Sequence, residues 1–202
     1  MTPLLSKFFQ LKLETEDPEE RFITSGVSWQ AYESLLKSLE NSSGYRVAYL
    51  LGTLEIMAPN RNHELDKKAI SRLLEAYLEE NRINFWGLGS TTFRKRDQQV
   101  GKEPDECYCI ETDKDLPDLA IEVIYTSGGV DILEIYRCLG VGEVWLWQNQ
   151  QFRIYCLQDS DYQQQQRSQL LPDLDIALLT QYVVMGDPLA AVIEWRQQLR
   201  AK

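Results

Sequence analysis

Two acidic residues stand in otherwise apolar segments and are the first candidates for chemistry. Asp105 opens the segment PDECYCI, and Glu122 lies inside DLAIEVI. A carboxylate in the middle of a buried strand is unfavourable unless it is paired with a cation, protonated or bound to a metal. Strand alternation puts Glu122 on one face with Ala120 and Ile124. The alternative is that Glu122 faces solvent or pairs with an arginine.

The two acids can act together only if their strands are neighbours. In that case the carboxyl groups of Asp105 and Glu122 converge. Two converging carboxylates suit a hard cation such as Mg²⁺, which prefers oxygen ligands and retains several waters. The pair therefore predicts a site for Mg²⁺, with Mn²⁺ as a substitute.

Several helices must help to position these acids. Ser28 is a typical N-cap, and apolar residues follow it at helical spacing. Asn62 is a candidate cap for the clearest helix, which carries Glu64 in its first turn, where the helix dipole favours acids. A short helix stops at Gly140. The segments LDIALLTQYVV and PLAAVIEWRQQLR predict one or two further helices.

Strands are predicted between and after these helices. They lie around the turn at Gly52 in YRVAYLLGTLEIM, in the pair EVWLW and FRIYCL, and near 86–95, 105–110 and 118–124. The strand–helix–strand order over 118–147 predicts a parallel crossover, whereas the hairpins add antiparallel pairs. The polar stretch Asp159–Arg167 is predicted to be a loop. The fold class is therefore α/β, with a mixed (α+β) sheet.

The domain organisation follows from length and pattern. A chain of 202 residues is within the range that one hydrophobic core can serve. We find no internal repeat and no linker, so residues 1–25 are predicted to be a variable lead-in and residues 26–202 a single domain. The apolar hairpin Val144–Leu157 is a candidate homodimer face. Its alternative role is a sheet edge that the C-terminal helices cover.

The charge balance bears on possible partners. The net charge is −10 and the isoelectric point is about 4.7. Affinity for nucleic acid comes mainly from neutralised phosphates, so an acidic chain is a poor nonspecific binder. Arg94-Lys95-Arg96, together with Lys102, is the best candidate for a local basic patch. The charge therefore counts against a nuclease without excluding one.

Other features indicate a cytoplasmic protein. The N-terminal stretch MTPLLSKFFQLKLETEDPEERF holds only short apolar runs, so neither a signal peptide nor a membrane span is expected. The four cysteines have no CxxC spacing and lie in apolar surroundings. They are predicted to be reduced core residues.

Several separated blocks, taken in order, resemble a known family. PDECYCI, LPDLAIEVIYTSGG and DILEIYRCLGVGEVWLW are similar to a restriction-endonuclease-like family that is expanded in cyanobacteria, and GTLEIMAPNRNHE is similar to its N-terminal signature. The resemblance covers roughly residues 24–185. It implies a PD-(D/E)xK nuclease core with an extra N-terminal hairpin and C-terminal helices. Pro104-Asp105 would be the PD element, and Glu122 the second acid.

The same resemblance implies a reaction. Members of the PD-(D/E)xK superfamily mostly cut or repair DNA with Mg²⁺, by hydrolysis of a phosphodiester bond. Asp105 and Glu122, with the carbonyl of Val123, would hold the ion against a phosphate oxygen. A lysine usually positions or activates the attacking water.

That lysine is missing from its usual places. Ile124 fills the position of the lysine in E-x-K, and Ile132 fills the position where the family often carries a lysine on the following helix. Isoleucine cannot orient a water, and ordinary core packing explains Ile132. Lys95, Lys102 or Lys67 would have to reach the site instead.

Three further residues are supporting candidates. His63 and Glu64 match a recurring His-Glu pair of the family, and Glu64 is a candidate third acid. The alternatives are local hydrogen bonding for His63 and dipole compensation for Glu64. Arg94 resembles a residue of a family strand beside the site, where it would meet phosphate. Its alternative is an ion pair with one of the many acids.

The sequence supports two functional hypotheses. The first is a Mg²⁺-dependent DNA endonuclease, which the two acids favour. The second is an inactive protein of the nuclease fold that binds DNA or a protein partner, which Ile132 and the negative charge favour. A purely structural oligomer component has no positive signal in the sequence.

Overall fold

The structure, a computed structural model, describes residues 20–40, 44–126 and 128–201. The strands are β1 (Arg21–Thr24), β2 (Arg46–Leu50), β3 (Thr53–Met57), β4 (Phe85–Gly87), β5 (Phe93–Lys95), β6 (Val100–Lys102), β7 (Glu106–Ile110), β8 (Leu119–Ile124), β9 (Glu143–Gln148), β10 (Gln151–Gln158) and β11 (Asp161–Gln165). The helices are α1 (Trp29–Leu39), α2 (Arg61–Glu80), α3 (Ile132–Leu139), α4 (Ile176–Val183) and α5 (Pro188–Arg200). The predicted α/β fold class is confirmed.

These elements group into two compact units, each built from separate stretches of chain. Unit 1 takes the described parts of Met1–Arg61, Thr91–Glu103 and Tyr125–Gly140. Unit 2 takes Asn62–Ser90, Pro104–Ile124 and the described part of Val141–Lys202. Most of the predicted lead-in lies outside the described residues, and β1 occupies part of the remainder. A single domain over residues 26–202 stays a prediction.

Unit 1 contains a five-stranded antiparallel sheet in the order β1-β3-β2-β6-β5. Helix α1 begins where Ser28 accepts a hydrogen bond from the backbone N–H of Ala31 at 3.2 Å, which confirms the predicted cap. Its buried aromatic side chains stack against the sheet: the rings of Tyr32 and Tyr49 are 4.7 Å apart. A side chain at Gly101 would collide with the Tyr32 hydroxyl, so the aromatic packing requires a glycine there.

Unit 2 contains a six-stranded sheet in the order β11-β10-β9-β8-β7-β4. Strands β8 and β9 run parallel and the other neighbours antiparallel, so the predicted mixed sheet is confirmed. One apolar stripe of α2 belongs to the core of this unit, together with β7, β8 and β9. Helix α5 contacts α2: the indole N–H of Trp195 donates a hydrogen bond to the Leu73 carbonyl at 2.9 Å.

Two local predictions were wrong, and one short strand was not predicted. The stretch predicted as a loop after β10 contains β11, because its backbone pairs with β10 although its exposed side chains are polar. The short strand β6 was also missed. Helix α2 begins at Arg61, so Asn62 lies in its first turn and is not the cap. No described helix is long and apolar enough to cross a membrane.

Candidate functional site

The two acids of interest lie on adjacent strands of unit 2. Strands β7 and β8 are antiparallel, and the register pairs Glu106 with Ile121. Continued by one residue, this register places Asp105 opposite Glu122. Both residues are buried. The condition set for the two acids to act together is therefore met: Asp105 directly precedes β7, and Glu122 lies on the neighbouring strand β8.

A backbone contact holds Asp105 against β8. The N–H of Val123 donates to Oδ2 of Asp105 at 2.9 Å. A backbone N–H in this position would otherwise need a carbonyl acceptor from the neighbouring strand. The carboxylate of Asp105 thus continues the ladder between β7 and β8 beyond its last backbone pair, next to Glu122.

The other oxygen of Asp105 binds a histidine from α2. Nε2 of His63 lies 2.9 Å from Oδ1 of Asp105, and the His63 side chain is fully buried. An ionised carboxylate only accepts hydrogen bonds, so with Asp105 ionised the Nε2 atom carries the proton. The structure therefore places His63 in direct contact with Asp105.

Glu64 was a candidate third metal ligand, but the contact seen in the structure is an ion pair with Lys67. Its two carboxylate oxygens lie 2.8 and 3.0 Å from Nζ of Lys67, three residues further along α2. The Glu64 side chain is 39% exposed, whereas that of Lys67 is 6% exposed. Within residues 20–40, 44–126 and 128–201, no group of three or more His, Cys, Asp or Glu side chains forms a metal-binding cluster.

The donor set of Asp105 and Glu122 still suits one kind of ion. Mg²⁺ is commonly held in proteins by one or two carboxylates and several waters. The two carboxylates, with the backbone carbonyl of Val123, are all hard oxygen donors. They fit a divalent cation of this class and give no preference for Zn²⁺, which favours nitrogen and sulfur.

Glu106, beside Asp105, is a buried acid that the sequence reasoning missed. Nζ of Lys68 lies 3.3 Å from its carboxylate. Burial raises the pKa of Glu106, and the ammonium groups of Lys68 and Lys67 oppose that rise. The signal was present in the sequence, because Asp105 and Glu106 are adjacent acids at the start of one apolar strand.

The remaining candidates belong to unit 1. Arg94 is exposed on β5, Lys102 is buried on β6, and Ile132 is the first residue of α3. Lys95 does not lie free for a phosphate, because its Nζ donates to the carbonyls of Leu139 at 2.6 Å and Cys138 at 3.4 Å. Lys95 therefore satisfies carbonyls at the C-terminal end of α3, a common role for lysine.

Comparison with known proteins identifies a family. A family model described as "Uma2: Putative restriction endonuclease" matches residues 29–184, most of the chain. The matched stretch contains His63, Asp105 and Glu122. No curated protein matches the chain.

Proposed function

The chain belongs to the Uma2 family of putative restriction endonucleases, and from this premise we propose that it is a divalent-metal-dependent DNA endonuclease. The observation that carries the proposal is the placement of Asp105. Its carboxylate contacts Nε2 of His63 and accepts a hydrogen bond from the N–H of Val123. Asp105 precedes Glu106, which pairs with Ile121 on β8, so the register places Asp105 opposite Glu122. This placement supports a shared role with Glu122.

Each residue then has a definite task. Asp105, Glu122 and the carbonyl of Val123 supply the oxygen ligands for Mg²⁺, with Mn²⁺ as a substitute. The ion, when bound, stabilises the developing phosphate charge and lowers the pKa of the attacking water. His63 fixes the orientation of the Asp105 carboxylate, because a buried hydrogen bond restricts its rotation.

A second candidate function has its own support. Ile132 replaces the lysine of the resembling family, and the net charge of −10 disfavours DNA binding. Both observations favour an inactive protein of the nuclease fold that binds DNA or a protein partner. If the missing lysine is the cause of inactivity, Ile132→Lys should produce nicking that the wild type lacks.

Metal binding is the first test. Isothermal titration of Mn²⁺ and Mg²⁺ into the wild type should show one binding event that Asp105→Asn removes. Asp113→Asn is the matched control, because it makes the same chemical change at an exposed turn after β7. No metal affinity in the wild type would count against the proposed site.

Cleavage is the second test. Supercoiled plasmid incubated with the protein and Mn²⁺ or Mg²⁺ should be nicked, and Glu122→Gln should abolish the nicking. Metal binding that depends on Asp105 without any nicking would favour the inactive candidate. Nicking that survives Glu122→Gln would reject the proposed mechanism.

A further inference from the structure

Lys67 is an unusual residue for its surroundings. Its side chain is 6% exposed, whereas that of Lys68, the next residue, is 64% exposed. Lysine is almost never buried unless a partner compensates its charge. Within unit 2, the burial of the Lys67 ammonium therefore needs an explanation. The exposed Lys68 needs none.

The position of Lys67 on α2 brings it towards the two acids. Residues four apart in a helix lie on one face, so Lys67 follows His63 on the same side of α2. His63 contacts Asp105 at 2.9 Å. Nζ of the next residue, Lys68, lies 3.3 Å from the carboxylate of Glu106, the residue after Asp105, so this part of α2 lies beside the start of β7. Lys67 thus lies over the beginning of β7.

The contact of Lys67 with Glu64 leaves capacity for a ligand. A lysine ammonium has three N–H donors, and the Glu64 carboxylate is bound at 2.8 and 3.0 Å. Glu64 is partly exposed, so the ion pair opens to solvent on one side. In the proposal that follows, a phosphate oxygen would approach the ammonium from this side.

We propose that Lys67, held in place by Glu64, supplies the cationic side chain of the candidate nuclease site in unit 2. The inference rests on the proposed endonuclease function. In the reaction the oxygen of a water bonds to phosphorus as the bond to the leaving sugar oxygen breaks. The water releases one proton to solvent, and the leaving oxygen takes one up. Lys67 donates a hydrogen bond to a non-bridging phosphate oxygen, where negative charge increases in the transition state.

The test compares Lys67 with an exposed lysine of α1 that lies outside the candidate site. In plasmid nicking at saturating Mn²⁺ and DNA, Lys67→Met should lower kcat about 100-fold or more, the usual loss when a transition-state donor is removed. Lys37→Met makes the same change at an exposed position of α1, outside the candidate site, and should stay within about threefold of wild type. Lys67→Arg, which keeps the charge, should recover part of the rate.

Two further measurements separate a catalytic role from a structural one. Mn²⁺ affinity by calorimetry and the thermal midpoint should be the same in Lys67→Met as in the wild type. Loss of either one together with nicking would overturn the proposal in favour of a structural role. If Lys67→Met does not fold, Lys67→Gln provides the same comparison with a polar side chain.

Failure of this inference differs from failure of the endonuclease proposal. Normal nicking by Lys67→Met would overturn the role of Lys67, while the endonuclease proposal stands. A wild type that binds Mn²⁺ through Asp105 but never nicks DNA would overturn both, and would favour the inactive candidate.

Discussion

Nε2 of His63 and Oδ1 of Asp105 lie 2.9 Å apart in the interior of unit 2, and this contact joins the first turn of α2 to the beginning of β7. The second oxygen of the same carboxylate accepts the N–H of Val123 on β8. Asp105 therefore connects one helix and two strands through a single side chain. The orientation of a candidate metal ligand is set by the packing of three elements.

The first prediction concerns the histidine. His63→Asn should lower Mn²⁺ affinity about 10- to 100-fold, the usual effect of removing a hydrogen bond that orients a metal ligand. The free energy of unfolding should fall by about 1–3 kcal/mol if Asp105 is left without this partner. Calorimetry and urea unfolding measure the two effects. Unchanged metal affinity would mean that the contact serves stability alone.

The second prediction concerns a buried acid far along the chain from Asp105. Glu143 accepts hydrogen bonds from the N–H groups of Gln169 at 2.8 Å and Leu170 at 3.2 Å, and from the indole of Trp145. Glu143→Ala should destabilise the protein by about 1–3 kcal/mol for each buried donor left without an acceptor. Urea unfolding checks this. Glu111→Ala, at an exposed position, is the control and should change little.

The third prediction concerns pH. Hydrogen bonds from Arg200 and Arg196 lower the pKa of Glu80, the last residue of α2, from 4.5 to about 2. A depressed pKa in the folded state stabilises the protein above the unfolded value of 4.5, and this contribution is lost as the pH falls towards 2. The stability difference between the wild type and Glu80→Gln should therefore shrink between pH 5 and pH 2.

Urea unfolding of both proteins at several pH values measures that difference. The ion pair is near the surface, so added salt should reduce it as well. A difference that grows on acidification would contradict the assigned partners. Glu194→Gln, in the same helix as Arg196 and Arg200, is a matched change outside these hydrogen bonds.

The fourth prediction concerns thiol reactivity. Burial raises the pKa of Cys107 and of Cys156 to about 12, and it also raises the pKa of Cys109 and Cys138. The thiolate is the reactive form, so all four thiols should react slowly in the native protein at pH 8. Cys138 is only partly buried and should react first. Maleimide labelling followed by mass spectrometry gives the order, and rapid labelling of Cys107 would contradict it.

Local signals in the sequence predicted many of the elements correctly. Ser28 indicated the start of α1, and Gly140 the end of α3, because caps depend on the residue and its immediate neighbours. The apolar runs around Asp105 and Glu122 predicted β7 and β8 for the same reason. Acids inside such runs are visible without a structure, since few buried strands tolerate them.

Tertiary structure decided what depends on distant partners. The polar strand β11 exists because β10 offers it backbone hydrogen bonds, and side-chain patterns do not show that pairing. The burial of Lys67 and the contact of His63 with Asp105 likewise arise where α2 meets β7. His63 and Asp105 are 42 residues apart in the sequence. The sequence by itself determined which residues carry charge in apolar segments. Only the packing of helix on sheet decided which of those charges meet, because contact between distant residues is a property of the folded chain.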